Sequence, residues 1–234
     1  MPITPHQTDS SSPVRKREPE DPLSHLPCGR ISEFRKNEII YGHEEPPRQL
    51  FLVIDGRVKV SRITPENRHV ILDVYRTDDL FGEGAFIRSA VPHGETAVAF
   101  DNVKLMTWDI AEVEELVAKR PKLGIALLQL VAQRASEYGC RIESFSVDTI
   151  PQRLARSLLR LCDRLGQQAE DGSVQMIPLT HEFLSQYVGT SREIVTHHMN
   201  DFRRQGFLQY SRRGILLERA ARQEWFKRTM NAAA

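Results

Sequence analysis

The chain reads as an α+β protein in three parts: an N-terminal antiparallel β-roll, one long helix, and a C-terminal helix-turn-helix with a two-stranded wing. Three patterns predict this. Short apolar segments broken by turn residues run from Ile31 to about Asp109. A near-heptad apolar stripe follows, from Leu123 to Phe145. Thr180–Leu217 then holds two short helical periods parted by a glycine, and two short strands parted by a basic turn.

In chain order, Met1 to about Pro22 is rich in Pro, Ser, Thr and charge, so residues 1–22 are expected to be a disordered tail. Its basic run VRKR reads as solvated rather than as a DNA contact. Leu23–Leu26 reads as a short leading helix. In LFLVIDGRVKV, apolar Leu50–Ile54 precedes the turn pair Asp55-Gly56, and Val58 and Val60 alternate after it, which predicts a hairpin. His69–Tyr75 and Val103–Trp108 supply further strands, and Ala111–Ala118 a short helix ending near Pro121. Residues 23–120 are thus expected to form the first domain.

The long helix is expected from about Lys122 to Phe145 or Ser146, within residues 121–147. Leu123, Leu127, Val131, Ala135, Tyr138, Ile142 and Phe145 recur at spacings of 4, 4, 4, 3, 4 and 3. Such a stripe is longer than one small roll covers. Asp148–Pro151 is the expected hinge, because the residue before proline is biased away from helix. Residues 148–234 follow as the last domain. Gln152–Leu165 is amphipathic, with Leu154, Leu158, Leu161 and Leu165 inward and Arg153, Arg156, Arg160 and Arg164 outward. Gln167–Gly172 reads as a polar loop and Val174–Ile177 as a short strand.

Thr180 is an N-cap ahead of Phe183, Leu184, Tyr187 and Val188, which recur at helical spacing. Gly189 breaks that period. Thr190 and Ser191 open a second helix with Ile194, Val195, Met199 and Phe202 as its apolar stripe. Phe207–Tyr210, the turn Ser211–Gly214 and Ile215–Leu217 form the wing. Arg192, Glu193, Thr196 and His197 stand in the first turns of the second helix, where a recognition helix reaches base edges. Arginine suits guanine O6/N7 and glutamate a cytosine amino group. Thr180, Ser191, Arg212 and Arg213 are the expected phosphate contacts.

Charge separates the halves. The net charge is +1, yet from Pro151 onward 13 Lys/Arg face 8 Asp/Glu, about +5. The basic half is the one with the helix-turn-helix, as a phosphate-binding surface requires. No apolar run approaches a membrane span and no secretory core opens the chain, so a cytoplasmic protein without membrane contact is expected. Cys28, Cys140 and Cys162 are scattered, which speaks against a disulfide framework or zinc site.

LTHEFLSQYVGTSREIVTHHMNDFRRQGFL resembles the winged helix-turn-helix of the cyclic-AMP receptor protein/FNR (Crp/Fnr) superfamily of bacterial transcription regulators. The likeness extends over most of the chain, and DGRVKV matches the hairpin of the superfamily's cyclic-nucleotide-binding fold. The resemblance implies a sensor β-roll, a homodimer, double-stranded DNA and RNA polymerase as partners, and a small-molecule effector. It implies that the long helix is the dimer coiled coil, with Leu127, Val131, Tyr138, Ile142 and Phe145 as its seam.

It also places an effector pocket. Phe81-Gly82-Glu83 matches the family turn that presents backbone N–H groups and a carboxylate to the cyclic phosphate and ribose. Thr96-Ala97 matches the phosphate-holding segment if the loop is about two residues longer, and Glu95 then stands where the family has arginine. Arg88 is the one basic residue able to replace it from the loop. Tyr138-Gly139 falls where cyclic-AMP-binding members present hydroxyl residues to the adenine. A carboxylate facing a phosphate is repulsive, on the order of 4 kcal/mol at 4 Å and an effective dielectric of about 20. An effector other than cyclic AMP is therefore expected.

No catalytic or metal constellation stands out. Three scattered cysteines cannot supply the four ligands of an iron–sulfur cluster. His43, His69 and His93 read as loop or surface histidines. Neighbours such as His197 and His198 point about 100° apart on a helix and do not chelate together easily. The expected function is a sequence-specific DNA-binding regulator, not an enzyme. The alternatives are a cyclic-nucleotide-responsive regulator using Arg88, and a ligand-binding module that regulates a partner protein.

Overall fold

The structure, a computed structural model, describes residues 19–42, 47–87 and 94–231, with side chains as far as Trp225. Arg88, His43, His93 and most of the expected tail lie outside the described residues. Of that tail, residues 19–22 are ordered against the long helix. The Glu20 N–H donates to Gln129 Oε1 at 2.8 Å, and Asp21 caps a single 3-10 turn, Pro22–Ser24.

Eight strands build the roll among the described residues: β1 Arg30–Phe34, β2 Ile39–Tyr41, β3 Gln49–Asp55, β4 Val58–Ile63, β5 His69–Tyr75, β6 Leu80–Phe81, β7 Glu95–Ala99 and β8 Val103–Asp109. They form two four-stranded antiparallel sheets, ordered β1-β8-β3-β6 and β2-β7-β4-β5. The expected β3–β4 hairpin does not form, since β3 pairs with β8 and β6 and β4 with β5 and β7. The Asp55-Gly56 turn is present, but it carries the chain from one sheet to the other. Phe51 and Val53 then meet Val58 and Val60 across the core instead of pairing along a ladder. Tyr41, Phe51, Phe81 and Tyr75 extend that core as a run of rings with centroids 5.7, 4.9 and 5.2 Å apart.

Helices α1 (Ile110–Lys119) and α2 (Pro121–Val147) follow β8. The first turns of α2 close the roll's outer face, with Leu123 and Leu127 packed on Leu50, Leu80, Trp108 and Val113. At about 1.5 Å per residue, α2 is about 40 Å long. Beyond Leu127 several of its apolar residues are open: Leu128 is 69 % exposed, Val131 43 % and Ile142 66 %.

The last part comprises α3 (Ile150–Leu165), β9 (Gly166–Gln168), β10 (Val174–Met176), α4 (His181–Val188), α5 (Arg192–Arg204), β11 (Leu208–Ser211), β12 (Gly214–Leu217) and α6 (Arg219–Asn231). Its sheet runs β11-β12-β10-β9. Helix α3 begins before the expected Gln152, because Thr149 and Gln152 form a capping box and Pro151 sits in the first turn, where its missing N–H is harmless. The expected loop Gln167–Gly172 contributes its first residues to β9, where Gln167 pairs with Gln175. Helix α6 was not anticipated, and its Trp225 ring lies tilted against Phe202 and edge-on to Phe207.

The roll and the last part share one core, since Ile71 and Val74 of β5 pack with Leu154, Leu158, Phe183 and Tyr187. Arginines staple the seam. Arg164 pairs with Asp73 at 2.5 Å, and Arg141 donates to the carbonyls of Ile71 at 3.1 Å and Tyr187 at 3.2 Å. Arg164 is thus not the solvated residue its helical period suggested; the outer face of α3 there lies against the roll.

Candidate nucleic-acid interface and effector pocket

Helices α4 and α5 are joined by a turn that needs its glycine. Gly189 has φ +74, donates to Ser185 O, and a Cβ there would lie 2.8 Å from the Phe145 ring of α2. Each helix is capped as its sequence indicated. The Thr180 hydroxyl accepts the Phe183 N–H at 3.0 Å, and the Ser191 hydroxyl accepts the Ile194 N–H at 3.3 Å. Both side chains stay exposed at helix N-termini, where phosphate is favoured.

Arg192 and Glu193 project from the first turn of α5 into solvent. The free N–H of Glu193 itself, then the Ser191 hydroxyl, hold the Glu193 carboxyl below its ordinary value, so it is an acceptor at neutral pH. His197 lies one turn on, exposed, with Nε2 3.2 Å from Asp201. Thr196 differs from the others. Its hydroxyl donates to the Arg192 carbonyl at 2.8 Å and meets His181 Nδ1 at 2.8 Å, so it joins α4 to α5. Burial, then Arg192, hold His181 below its ordinary pKa, which favours the neutral ring in that contact.

Arg212 and Arg213 occupy the exposed turn between β11 and β12, with the Arg213 N–H on Ser211 Oγ at 3.1 Å. Tyr210 fixes the wing's position, a role invisible in the sequence. Its hydroxyl and Asn200 Oδ1 are 2.9 Å apart, and the Arg203 guanidinium lies 5.2 Å from its ring centre. The seven exposed residues and Thr196 therefore share one end of the domain, on and beside α5.

The second site lies between the roll and α2, a cavity of about 250 Å³ lined by Gly82, Glu83, Glu95 and Tyr138 among others. Gly82 is needed twice over, for its left-handed φ of +91 and because a Cβ would stand 2.7 Å from Gln49 O. Arg134 of α2 is the residue that sequence reasoning missed. Its side chain is 8 % exposed, its Nη1 lies 2.5 Å from Glu83 Oε2, and its guanidinium covers the Tyr75 ring at 4.8 Å. It lies on α2 midway between the anticipated stripe positions Val131 and Tyr138, so only its charge in an apolar helix marked it.

Glu95 is not an uncompensated carboxylate, for Arg62 of β4 pairs with it at 3.0 Å. Thr96, beside it, has an enclosed hydroxyl without a hydrogen-bond partner among the described residues. Burial raises the Tyr138 pKa, and the ring stays half-buried in the cavity wall. The described lining holds two guanidiniums, Arg62 and Arg134, and two carboxylates, Glu83 and Glu95.

The expected dimer seam divides. Val131 and Ile142 are exposed as it requires. Leu127 is turned into the roll's core, Tyr138 faces the cavity, and Phe145 packs against Gly189 with Arg153 over its ring at 4.8 Å. A straight helix drifts from a strict heptad, so three of the five expected seam residues touch their own chain. Leu128, which the stripe omitted, is on the open face.

Both parts of the chain match known domain families. Residues 31–120 match the cyclic nucleotide-binding domain family, and residues 152–222 the Crp-like helix-turn-helix domain family. A CRP-like cAMP-activated global transcriptional regulator of Mycobacterium tuberculosis is 29 % identical over 194 residues, covering 81 % of this chain and 86 % of that protein. A global nitrogen regulator of Nostoc is 24 % identical over 190 residues, 81 % of this chain and 85 % of the other. In fold, the chain is similar to FixK2 from Bradyrhizobium japonicum, with a TM-score of 0.72 at 22 % identity over 86 % of this chain and 97 % of that one. Among the described residues no helix is long and apolar enough to cross a membrane. With a cyclic-nucleotide-binding-type roll, a long helix and a Crp-like helix-turn-helix in one chain, the protein belongs to the Crp/Fnr superfamily and is a sequence-specific DNA-binding transcription regulator.

Proposed function

We propose that the protein works as a cytoplasmic homodimer on a palindromic operator, without catalysis, and that α2 supplies the seam through Leu128, Val131 and Ile142. Helix α5 of each protomer enters the major groove, the two about 34 Å apart. Arg192 and Glu193 read bases, with His197 adjusting specificity and Thr196 acting through its hold on His181. Thr180, Ser191, Arg212 and Arg213 contact phosphate. The observation that carries this reading is the exposure of Arg192 and Glu193 at the capped start of α5, beside a wing clamped by Tyr210. RNA polymerase is the proposed protein partner.

The cavity against α2 takes an effector other than cyclic AMP in this proposal. A cyclic phosphate brings one negative charge to a lining whose two guanidiniums already face two carboxylates. The similarity to a cAMP-activated regulator of Mycobacterium tuberculosis favours the second reading, in which cyclic AMP binds and Arg88 answers its phosphate. Mass spectrometry of small molecules released from the purified protein separates the two. A released cyclic nucleotide supports the second reading; any other bound metabolite supports the first.

A further inference from the structure

Two histidines and an aspartate on α5 converge on one point. His197 Nε2 lies 3.2 Å from Asp201 Oδ2, and His198 Nδ1 lies 3.9 Å from the same oxygen. A ligand atom from each residue lies within 4.8 Å of the other two. Adjacent helix positions diverge at Cβ, but these residues use different ring nitrogens. The distal nitrogen of His197 and the proximal one of His198 both reach Oδ2, the rings inclined at 67° with centres 5.1 Å apart. Arg204 grips the other oxygen, Oδ1, and orients the carboxylate. That contact, with smaller help from the two rings, keeps Asp201 below its ordinary pKa.

We propose that His197, His198 and Asp201 bind a divalent transition metal of the zinc class, and that metal and DNA compete for α5. Two imidazoles and a carboxylate suit Zn²⁺, and water completes the shell. Ligand atoms on tetrahedral zinc stand roughly 3.4 Å apart for bonds of about 2.1 Å, so the 3.2 Å contact already fits and the longer ones close by side-chain rotation. His198 and Asp201 are largely shielded, with side chains 21 % and 25 % exposed, whereas His197 is open at 68 %. A metal would draw His197 toward the C-terminal turns of α5, away from a base edge. The site rests on geometry alone, and only the competition rests on reading α5 as the recognition helix.

The test uses untagged, chelator-stripped, full-length protein. Zn²⁺ is titrated by calorimetry and Co²⁺ by visible absorption, both without DNA. The expected result is one metal per chain, with affinity lowered about tenfold or more in Asp201→Asn and His198→Gln. Cys28→Ser and Cys140→Ser should bind as the wild type, since neither exposed thiol belongs to the cluster. Unchanged affinity in His198→Gln would overturn the site. If a shielded variant misfolds, His197→Gln decides the same question from an exposed position. In a second arm, Zn²⁺ should weaken binding to the selected operator about fivefold or more, and not in His198→Gln. An operator affinity indifferent to Zn²⁺ would overturn the competition. Failure of the wild type to bind any DNA would overturn the reading of α5, while the first arm alone decides the metal site.

Discussion

Replacing Arg164 with methionine tests what joins the sensor roll to the DNA-binding part. Asp73 is a buried carboxylate of β5, its side chain 10 % exposed, paired with Arg164 and accepting the Val74 N–H at 2.8 Å. Burial holds its pKa above the ordinary value, against the opposing pull of Arg164. Removing one partner of a buried pair costs about 3–5 kcal/mol. Arg164 keeps about a fifth of its side chain open, which puts the loss near 3 kcal/mol at neutral pH. The pH dependence has a defined sign. The folded chain binds the Asp73 proton more tightly than the unfolded chain, so stability falls as pH rises from the ordinary carboxylate value through the folded one. Without Arg164 the folded value climbs further. The deficit of Arg164→Met should then shrink as pH is lowered, and Asp73→Asn in that background should recover most of it. Urea unfolding followed by tryptophan fluorescence reports on both halves, because Trp108 is buried in the first and Trp225 in the second. A loss below about 1 kcal/mol that does not vary with pH would refute the reasoning.

Three further outcomes follow from the same contacts. Val131→Glu with Ile142→Glu places charge on the open face of α2 and should give monomers in sedimentation; a variant still dimeric would remove the seam. Calorimetry should detect no cyclic AMP binding at micromolar nucleotide, and a micromolar or tighter complex would mean that Arg88 supplies the missing charge. Gly189→Ala should cost about 1–2 kcal/mol for its left-handed backbone alone, plus the displacement of Phe145, and thermal stability equal to the wild type would contradict the turn geometry.

Local signals were legible and long-range ones were not. Thr180, Gly189 and Ser191 declare the helix-turn-helix because caps and left-handed turns are short-range chemistry. The capped, exposed start of α5 follows from them. The stripe on α2 correctly announced a long helix, yet it could not say which of its residues meet their own chain, so it put Leu127 in the seam although the roll's core buries it. The pairing of Arg134 with Glu83 and of Arg62 with Glu95 spans distant strands and helices, and no local pattern encodes it. The same holds for β3 and β4, whose alternation predicts strands but not the sheet each joins. Helix α6 carried too weak an apolar period to be anticipated.

The central claim is that α5 reads sequence through Arg192. Binding-site selection on the wild type, Arg192→Ala and Arg213→Ala, followed by salt titration on the best site, tests it most directly. Arg192→Ala should lose about 1–3 kcal/mol and relax preference at one base pair in each half-site. Arg213→Ala should weaken all sequences alike and lower the salt slope by about one. A selected motif left unchanged by Arg192→Ala would contradict the account.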